Sequence, residues 1–530
     1  MGKVYKTNKI GILFFTILSF ISALGLVFSG YVISFIVNTA VDVINGETEK
    51  TSRLFILIII CAISFSICIF FGYFQKQVKN KIIKDFNLLL RQRISNKIIN
   101  LDLNDLNNKN NGDFISWYTN DINQIEAKNF ESTFDFIDTF LTAILSIIAI
   151  FILNWIVGLA TIFALLLLMI IPSLLQKSMV KTINKVSTKQ EEFSAKVENT
   201  ISGYKELLYN NKTELFKKMI NEKSLDLENY KQKNKTLENL QMTGINFISI
   251  FCQIGLLLLT VILATYKLGS IGMVFAVPQL AGNFLVNART ALGSLFGTLG
   301  SRELFSKFDY DHKDFNDLKL ENFKSLIVKD LELKINDVTL YKGLNIEINK
   351  GDKYLIHGRS GVGKSTLIKI LFGTFNGYSG EILWNNKINF NTIESNALWD
   401  KIYYVQQDTT IFDASFKENI TLFDDKISDS QIQKVISLVN LNELVLKNNN
   451  SLTFSCKELS KGEIQRISVA RALLSNKKII FLDEPTASLD KQNAELIEEL
   501  ILKNPDLTVL FISHTSNIKN KLFNGTIHIK

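Results

Sequence analysis

Six apolar runs, each close to the ~20 residues that a bilayer core demands, occupy roughly the first 300 of the 530 positions. They fall at about 10–38, 53–74, 134–154, 156–176, 244–266 and 271–300. The first is too long for a signal peptide, lacks a small-residue cleavage pattern and is followed by further runs, so it is expected to be retained. The remaining sequence reads like a soluble domain with one phosphate-binding loop. The expected architecture is an all-α six-helix transmembrane domain, residues 1–305, a linker at 306–325, and an α/β domain at 326–530.

The net charge of +8 sits beside 47% hydrophobic residues and a mean hydropathy of +0.16. Basic charge alone fits nucleic acid, but the hydropathy makes a bilayer the better partner, because cytoplasmic membrane loops collect Lys and Arg. Lys3, Lys6 and Lys9 precede the first run, and Lys76, Lys79, Lys81, Lys84, Arg91, Arg93 and Lys97 follow the second. The segment after the fourth is equally rich in lysine, whereas 39–52, 154–156 and 266–271 are short or acid-leaning. The expectation is a multi-pass protein of the cytoplasmic membrane with both termini and the soluble domain inside. Cys61, Cys68, Cys252 and Cys456 lack metal-ligand spacing and read as small hydrophobes, so no disulfide framework is implied.

Two cytoplasmic segments, each about 60 residues, read as amphipathic helix continuing out of the bilayer, since structureless loops of that length are uncommon. Within the first lies NNGDFISWYTNDINQIE (110–126). Gly112-Asp113 followed by Phe114, Ile115 and Trp117 reads as a helix start with an apolar patch or as an ordinary turn between helices.

In the C-terminal part the strand YLIH runs into GRSGVGKST and the apolar stretch LIKILF. This is the pattern G-x-x-x-x-G-K-[ST], Gly358 to Ser365, in its strand-to-helix context. Gly358, Ser360, Gly361 and Gly363 allow backbone N–H groups to curl around phosphates, and the helix N-terminus adds a favourable dipole. Lys364 is expected to reach the β and γ phosphates of ATP and Ser365, beside Thr366, to hold Mg2+. A second apolar strand, IIFLDEP, ends in Asp483 and Glu484. Adjacent carboxylates beside a nucleotide suit metal positioning and activation of the attacking water, respectively.

These elements together resemble an ATP-binding cassette ATPase, and the whole chain resembles a bacterial exporter-type half-transporter. YVQQDTTIF (404–412) is similar to the family's glutamine loop, which implies that Gln407 senses the γ-phosphate and Mg2+ and touches the membrane domain. LSKGEIQRISVARALL (459–474) resembles the signature motif and its helix, implying nucleotide contacts from Ser460 and Gly462. ASLD (487–490) resembles the D-loop, and Ile512-Ser513-His514 implies His514 as a switch histidine. GDFISWYTNDINQIE resembles the first coupling region, and ISGYKELLYNN (201–211), less closely, the second. The resemblance also implies a dimer, with a homodimer favoured over a heterodimer, because the phosphate loop of one cassette faces the signature of the other.

Three departures follow. Lys461 stands where the signature has its first glycine, but Ser460-x-x-Glu463 before an apolar helix is a capping box, so the helix start is expected to survive. A positive φ at Lys461 would cost about 1–2 kcal/mol. The adenine-stacking position falls near Ile335, leaving Tyr341 as the nearest aromatic. The glutamate-containing stretch usual before the signature is not recognisable in SLTFSCKE (451–458).

Glu131, Asp135 and Asp138 share one helix face at the cytoplasmic start of the third run. At 1.5 Å per residue, Asp138 and Arg289 lie ~24 and ~27 Å below the outer ends of their helices. Such charges either pair around a cavity, forming an acidic vestibule for amphipathic or cationic cargo, or sit solvated at the inner interface. Asn283 and Asn287 offer further polar contacts. No peptidase-like segment precedes the first run, so cleavage of a leader peptide in cis is not expected. The cargo itself is unidentified. The expected activity is ATP-driven export; the rivals are an ATP-gated channel or sensor and an importer.

Overall fold

The computed structural model describes residues 2–101, 106, 109–309, 320–335, 338–513 and 522–529. The chain divides into two compact units, residues 1–99 with 111–310 and residues 100–110 with 311–530. In the first unit, five helices among the described residues are long and apolar enough to cross a membrane: Lys9–Ile44, Thr48–Ile99, Asn111–Leu153, Trp155–Ser202 and Thr213–Thr265. Helices are the form these runs must take, because lipid offers no partner for a free backbone N–H or C=O.

The sixth run also folds as a helix, Met273–Gly300, but it carries Pro278 inside it together with Gln279, Asn283, Asn287 and Arg289. Its surroundings account for this composition. Met273, Ala276, Val277, Leu280, Ala281 and Leu285 are all buried, several of them against Ala149, Ile150, Val157 and Leu256. Phe275, Val286 and Phe296 stay exposed, so one face of this helix is packed against its neighbours, and a packed face can carry polar groups away from lipid. The second helix shows the opposite pattern, with Phe55, Ile56, Ile59 and Ile63 exposed.

Two of these helices run far beyond bilayer length. Thr51–Ile99 has 49 residues and Thr213–Thr265 has 53. Ile170–Ser202 packs along the latter, and Lys189 bridges to Asp226 at 3.0 Å and Lys223 to Glu192 at 3.0 Å. The short helix Tyr204–Tyr209, from the ISGYKELLYNN stretch, turns the chain between them. At 110–126 a helix starts at Asn111, and π-helical turns follow at Trp117–Asp121 and Glu126–Glu131. Trp117 is buried with Phe114 and Phe308 edge-on to its ring, while Ile115 stays exposed. Of the two sequence readings, the helix start is the one that forms.

Asp138 and Arg289 form no ion pair among the described residues. Asp138 is hydrogen-bonded instead by Gln75, which is buried and also donates to Ser19 Oγ at 2.8 Å. Asp135 pairs with Lys79 at 2.6 Å. Cations and amides of the second helix therefore take up these acids locally.

The second unit holds two sheets. An antiparallel one runs in the order β2-β1-β4-β5, from Val338–Asn349, Ser325–Ile335, Ser379–Trp384 and Ile388–Asn389. A parallel one runs β6-β7-β8-β3-β9, from Ile402–Val405, Ile479–Asp483, Thr508–Ile512, Lys353–His357 and Gly525–His528. Side chains of β7 alternate between two cores, Ile480 and Leu482 into one and Ile479 and Phe481 into the other. Burial on both faces explains the unbroken apolar run. Parallel order also gathers the carboxyl ends of β3, β7 and β6 on one edge, where ligands of such sheets bind.

Candidate nucleotide site

The loop after β3 closes with Gly361 at φ +78° and Gly363 at φ +103°, both in the left-handed region. Gly363 sits directly before the Lys364–Leu371 helix, whose free N–H groups point back into the loop. A Cβ on Gly363 would lie 2.7 Å from the Tyr341 hydroxyl, so both conformation and space exclude a side chain there. Lys364 is buried, and its Nζ donates to the carbonyls of Gly358 (3.1 Å) and Arg359 (2.9 Å). The ammonium is thereby held over the loop as a fixed positive charge. Ser360 is exposed on the loop, and Ser365 and Thr366 are half-buried on the first helical turn.

Asp483 ends β7 and is buried. Its Oδ2 accepts from the Tyr404 hydroxyl at 3.1 Å, whereas Oδ1 is buried without a hydrogen-bond partner. Burial, and then the adjacent Asp483 carboxylate, push the Tyr404 hydroxyl above its ordinary pKa, which keeps it a donor. An orphaned carboxylate oxygen close to a phosphate loop is satisfied by a hard, oxygen-seeking divalent cation, so Asp483 with Ser365 fits Mg2+. Glu484 adopts φ +53°, an uncommon state for a non-glycine residue. Its N–H donates to Ile512 O at 3.2 Å, and its carboxylate accepts from Gln407 Nε2 at 3.2 Å. Strain of this kind concentrates where a side chain must be aimed.

Ser460 caps the helix Lys461–Leu474. Its Oγ accepts from Glu463 N at 3.2 Å, and Glu463 Oε2 accepts from Ser460 N at 2.7 Å, which completes the capping box. Lys461 is exposed and takes no positive φ, so no glycine is needed at that position. Gly462 differs: a Cβ there would meet Ser488 O at 3.2 Å.

A family model for the ABC transporter transmembrane region matches residues 10–288, over half of the chain, and one for the ABC transporter itself matches 341–487. The chain belongs to the ABC transporter family. It is 27% identical over 527 residues to the multidrug resistance-like ATP-binding protein MdlB of Buchnera aphidicola, covering 96% of this chain and 88% of that one. It is 31% identical over 245 residues to the microcin-J25 export ATP-binding/permease protein McjD of Escherichia coli, covering 45% and 41%. Among solved structures, a bacterial Atm1-family ABC exporter with ATP bound shares the fold, with a TM-score of 0.82 at 17% identity over 100% of this chain and 94% of that one. This ABC transporter is thus a half-transporter, pairing one helical membrane domain with one ATP-binding cassette that couples ATP hydrolysis to transport.

Within this ABC transporter, one sequence expectation is revised and one lies outside the described residues. Tyr341 is only 4% exposed, and its hydroxyl donates to the Gly363 carbonyl. Burial pushes that hydroxyl's pKa upward. The ring props the phosphate loop from beneath and has no open face for adenine. His514 lies outside the described residues. Sequence reading also passed over two residues of the signature helix. Arg471, buried, donates to Asn419 O (2.7 Å) and Thr410 O (2.9 Å), anchoring the loop that carries Gln407. Gln465 touches Glu484 and Ser488. The clue available was a glutamine and an arginine at otherwise core-facing positions of that helix.

Proposed function

We propose that the chain is one half of a homodimeric ATP-driven exporter of the cytoplasmic membrane, with both termini and the cassette on the cytoplasmic side. The supporting observation is the shared edge of the parallel sheet. It gathers an anion-cradling loop, an orphaned buried carboxylate and a second carboxylate held by Gln407, on a chain whose other unit consists of membrane-length helices.

In this reading the loop N–H groups and Lys364 bind the β and γ phosphates of ATP, with Ser360, Gly361 and Thr366 lining the cradle. Ser365, Asp483 and Gln407 would hold Mg2+, which would supply charge neutralisation at the phosphates. Glu484 accepts the proton of the attacking water as general base, while Gln407 fixes its carboxylate. Ser460 and the N–H groups around Gly462 receive the γ-phosphate of the nucleotide bound to the second copy, so each site needs two chains. His514 would complete the phosphate contacts. The cargo class we assign is amphipathic, peptide or drug-like. The relatives bear names of multidrug resistance, microcin export and lacticin transport, which fits this class.

The test uses the protein in sealed vesicles with the cassettes outward and a fluorescent amphipathic cation as probe. ATP added outside drives accumulation of the probe in the lumen, and Glu484→Gln abolishes it. Depletion of preloaded probe would indicate an importer. ATP-dependent collapse of a probe gradient without accumulation would indicate a channel.

A further inference from the structure

We propose that Gln465 is a positioning residue for hydrolysis, clamping the strained backbone of Glu484 to the D-loop from the signature helix. The inference rests on the reading of Glu484 as general base. Gln465 is 7% exposed, and both ends of its amide are used. Nε2 donates to the carbonyl of Glu484 at 3.3 Å, and Oε1 accepts from the N–H of Ser488 at 2.8 Å. Both partners are backbone groups of fixed polarity, so the orientation of the amide is determined by its neighbours.

Glu484 needs such a clamp. A non-glycine residue at φ +53° persists only where its surroundings over-determine it. Its N–H is tied to Ile512 on β8. Its carbonyl accepts from the N–H of Ala487 at 3.3 Å, which closes the turn into the D-loop, and from the Gln465 side chain, which ties that turn to the signature helix. The same helix turn meets the D-loop again at Gly462, which leaves room for the Ser488 carbonyl. Gln465 lies five residues beyond the cap Ser460, on the helix assigned above to the second copy's nucleotide. The carboxylate it positions works on the chain's own nucleotide. A shift of this helix on nucleotide contact therefore moves Glu484 directly, and one amide joins the two composite sites.

The chemistry separates this role from simple packing. An ionised glutamate at 465 keeps the acceptor for Ser488 but turns a carboxylate oxygen towards the Glu484 carbonyl. A protonated one restores the donor.

The experiment measures ATP turnover and KM of the full-length transporter in nanodiscs for Gln465→Ala, Gln465→Glu and Glu484→Gln. Gln465→Ala is expected to lower kcat tenfold or more with KM within about twofold of wild type. Gln465→Glu is expected to lose turnover at pH 8 and to regain it relative to wild type as the pH falls below about 6, where a carboxyl begins to protonate. A Gln465→Ala enzyme with unchanged kcat, or one altered in KM alone, overturns the proposal. Should Gln465→Ala fail to fold, the isosteric Gln465→Glu decides: a ratio to wild type that is flat with pH overturns the proposal. If Glu484→Gln abolishes turnover and Gln465→Ala does not lower it, the base assignment stands and the clamp falls. If Glu484→Gln turns over like wild type, the base assignment fails first and takes the clamp with it.

Discussion

The cassette contains two loops that end in a helix N-terminus and are suited to an anion, and they treat glycine in opposite ways. At the phosphate loop, Gly363 sits at φ +103° with the Tyr341 hydroxyl against the space a Cβ would fill. At the signature loop, the position of the first family glycine is Lys461, exposed and already in the first turn of the helix. Both loops present backbone N–H groups. Only the first needs glycine's positive φ to shape them. The second is shaped by Ser460 and Glu463, whose reciprocal hydrogen bonds hold the helix start whatever follows the cap. The sign of φ and the neighbour of the Cβ decide the need for glycine, not the loop's function.

That contrast can be broken at four points, ordered by expected effect. Gly363→Ala misplaces the phosphate-binding N–H groups and should lower ATP turnover by about a hundredfold or more, since an ångström of misplacement costs that much; turnover near wild type would remove the asymmetry. Gly462→Ala presses on the Ser488 carbonyl and should lower kcat by roughly tenfold, in line with an overpacked contact. Ser460→Ala removes the cap and should cost about 1 kcal/mol of helix stability, read as faster amide hydrogen exchange over 461–465 in the full-length protein. Lys461→Gly should change turnover by less than about fivefold, because glycine in a first turn costs at most about 1 kcal/mol. A rise of a hundredfold on Lys461→Gly would mean that the native signature is crippled.

What was legible in the sequence is what local chemistry forces into a contiguous stretch. The phosphate loop, the acid-ended strand and the capping box each need fixed residue types within a few positions, so Gly358–Ser365, Asp483–Glu484 and Ser460–Glu463 were readable. Gln465 was not, because its partners Glu484 and Ser488 are 19 and 23 residues away and both contacts are to backbone. Arg471 reaches 52 and 61 residues back for the same kind of contact. Tyr341 was misassigned because its sequence position lies near the adenine-stacking site, while burial beneath Gly363 is a tertiary outcome. In the membrane unit, helix depth placed Asp138 level with Arg289, but depth does not fix which neighbour a side chain meets, and Gln75 occupies that role.

The 53-residue helix Thr213–Thr265 has a consequence for how this protein can change over time. Its two ends belong to one rigid register, so one residue inserted near its middle would turn the half that carries Lys223, Asp226 and Leu227 by about 100° against the other half and shift it by about 1.5 Å. Leu227 would then swing out of its buried seat, and Lys223 and Asp226 would leave their partners Glu192 and Lys189. Seven residues, close to two full turns, would return them to the same side. Substitutions along this rod are cheap, since most of its surface is solvent or lipid, but its length is quantised. Single-residue gains and losses should therefore be excluded from it, and tolerated changes in length should fall near whole turns, about seven or eleven residues, matched in the helix it pairs with.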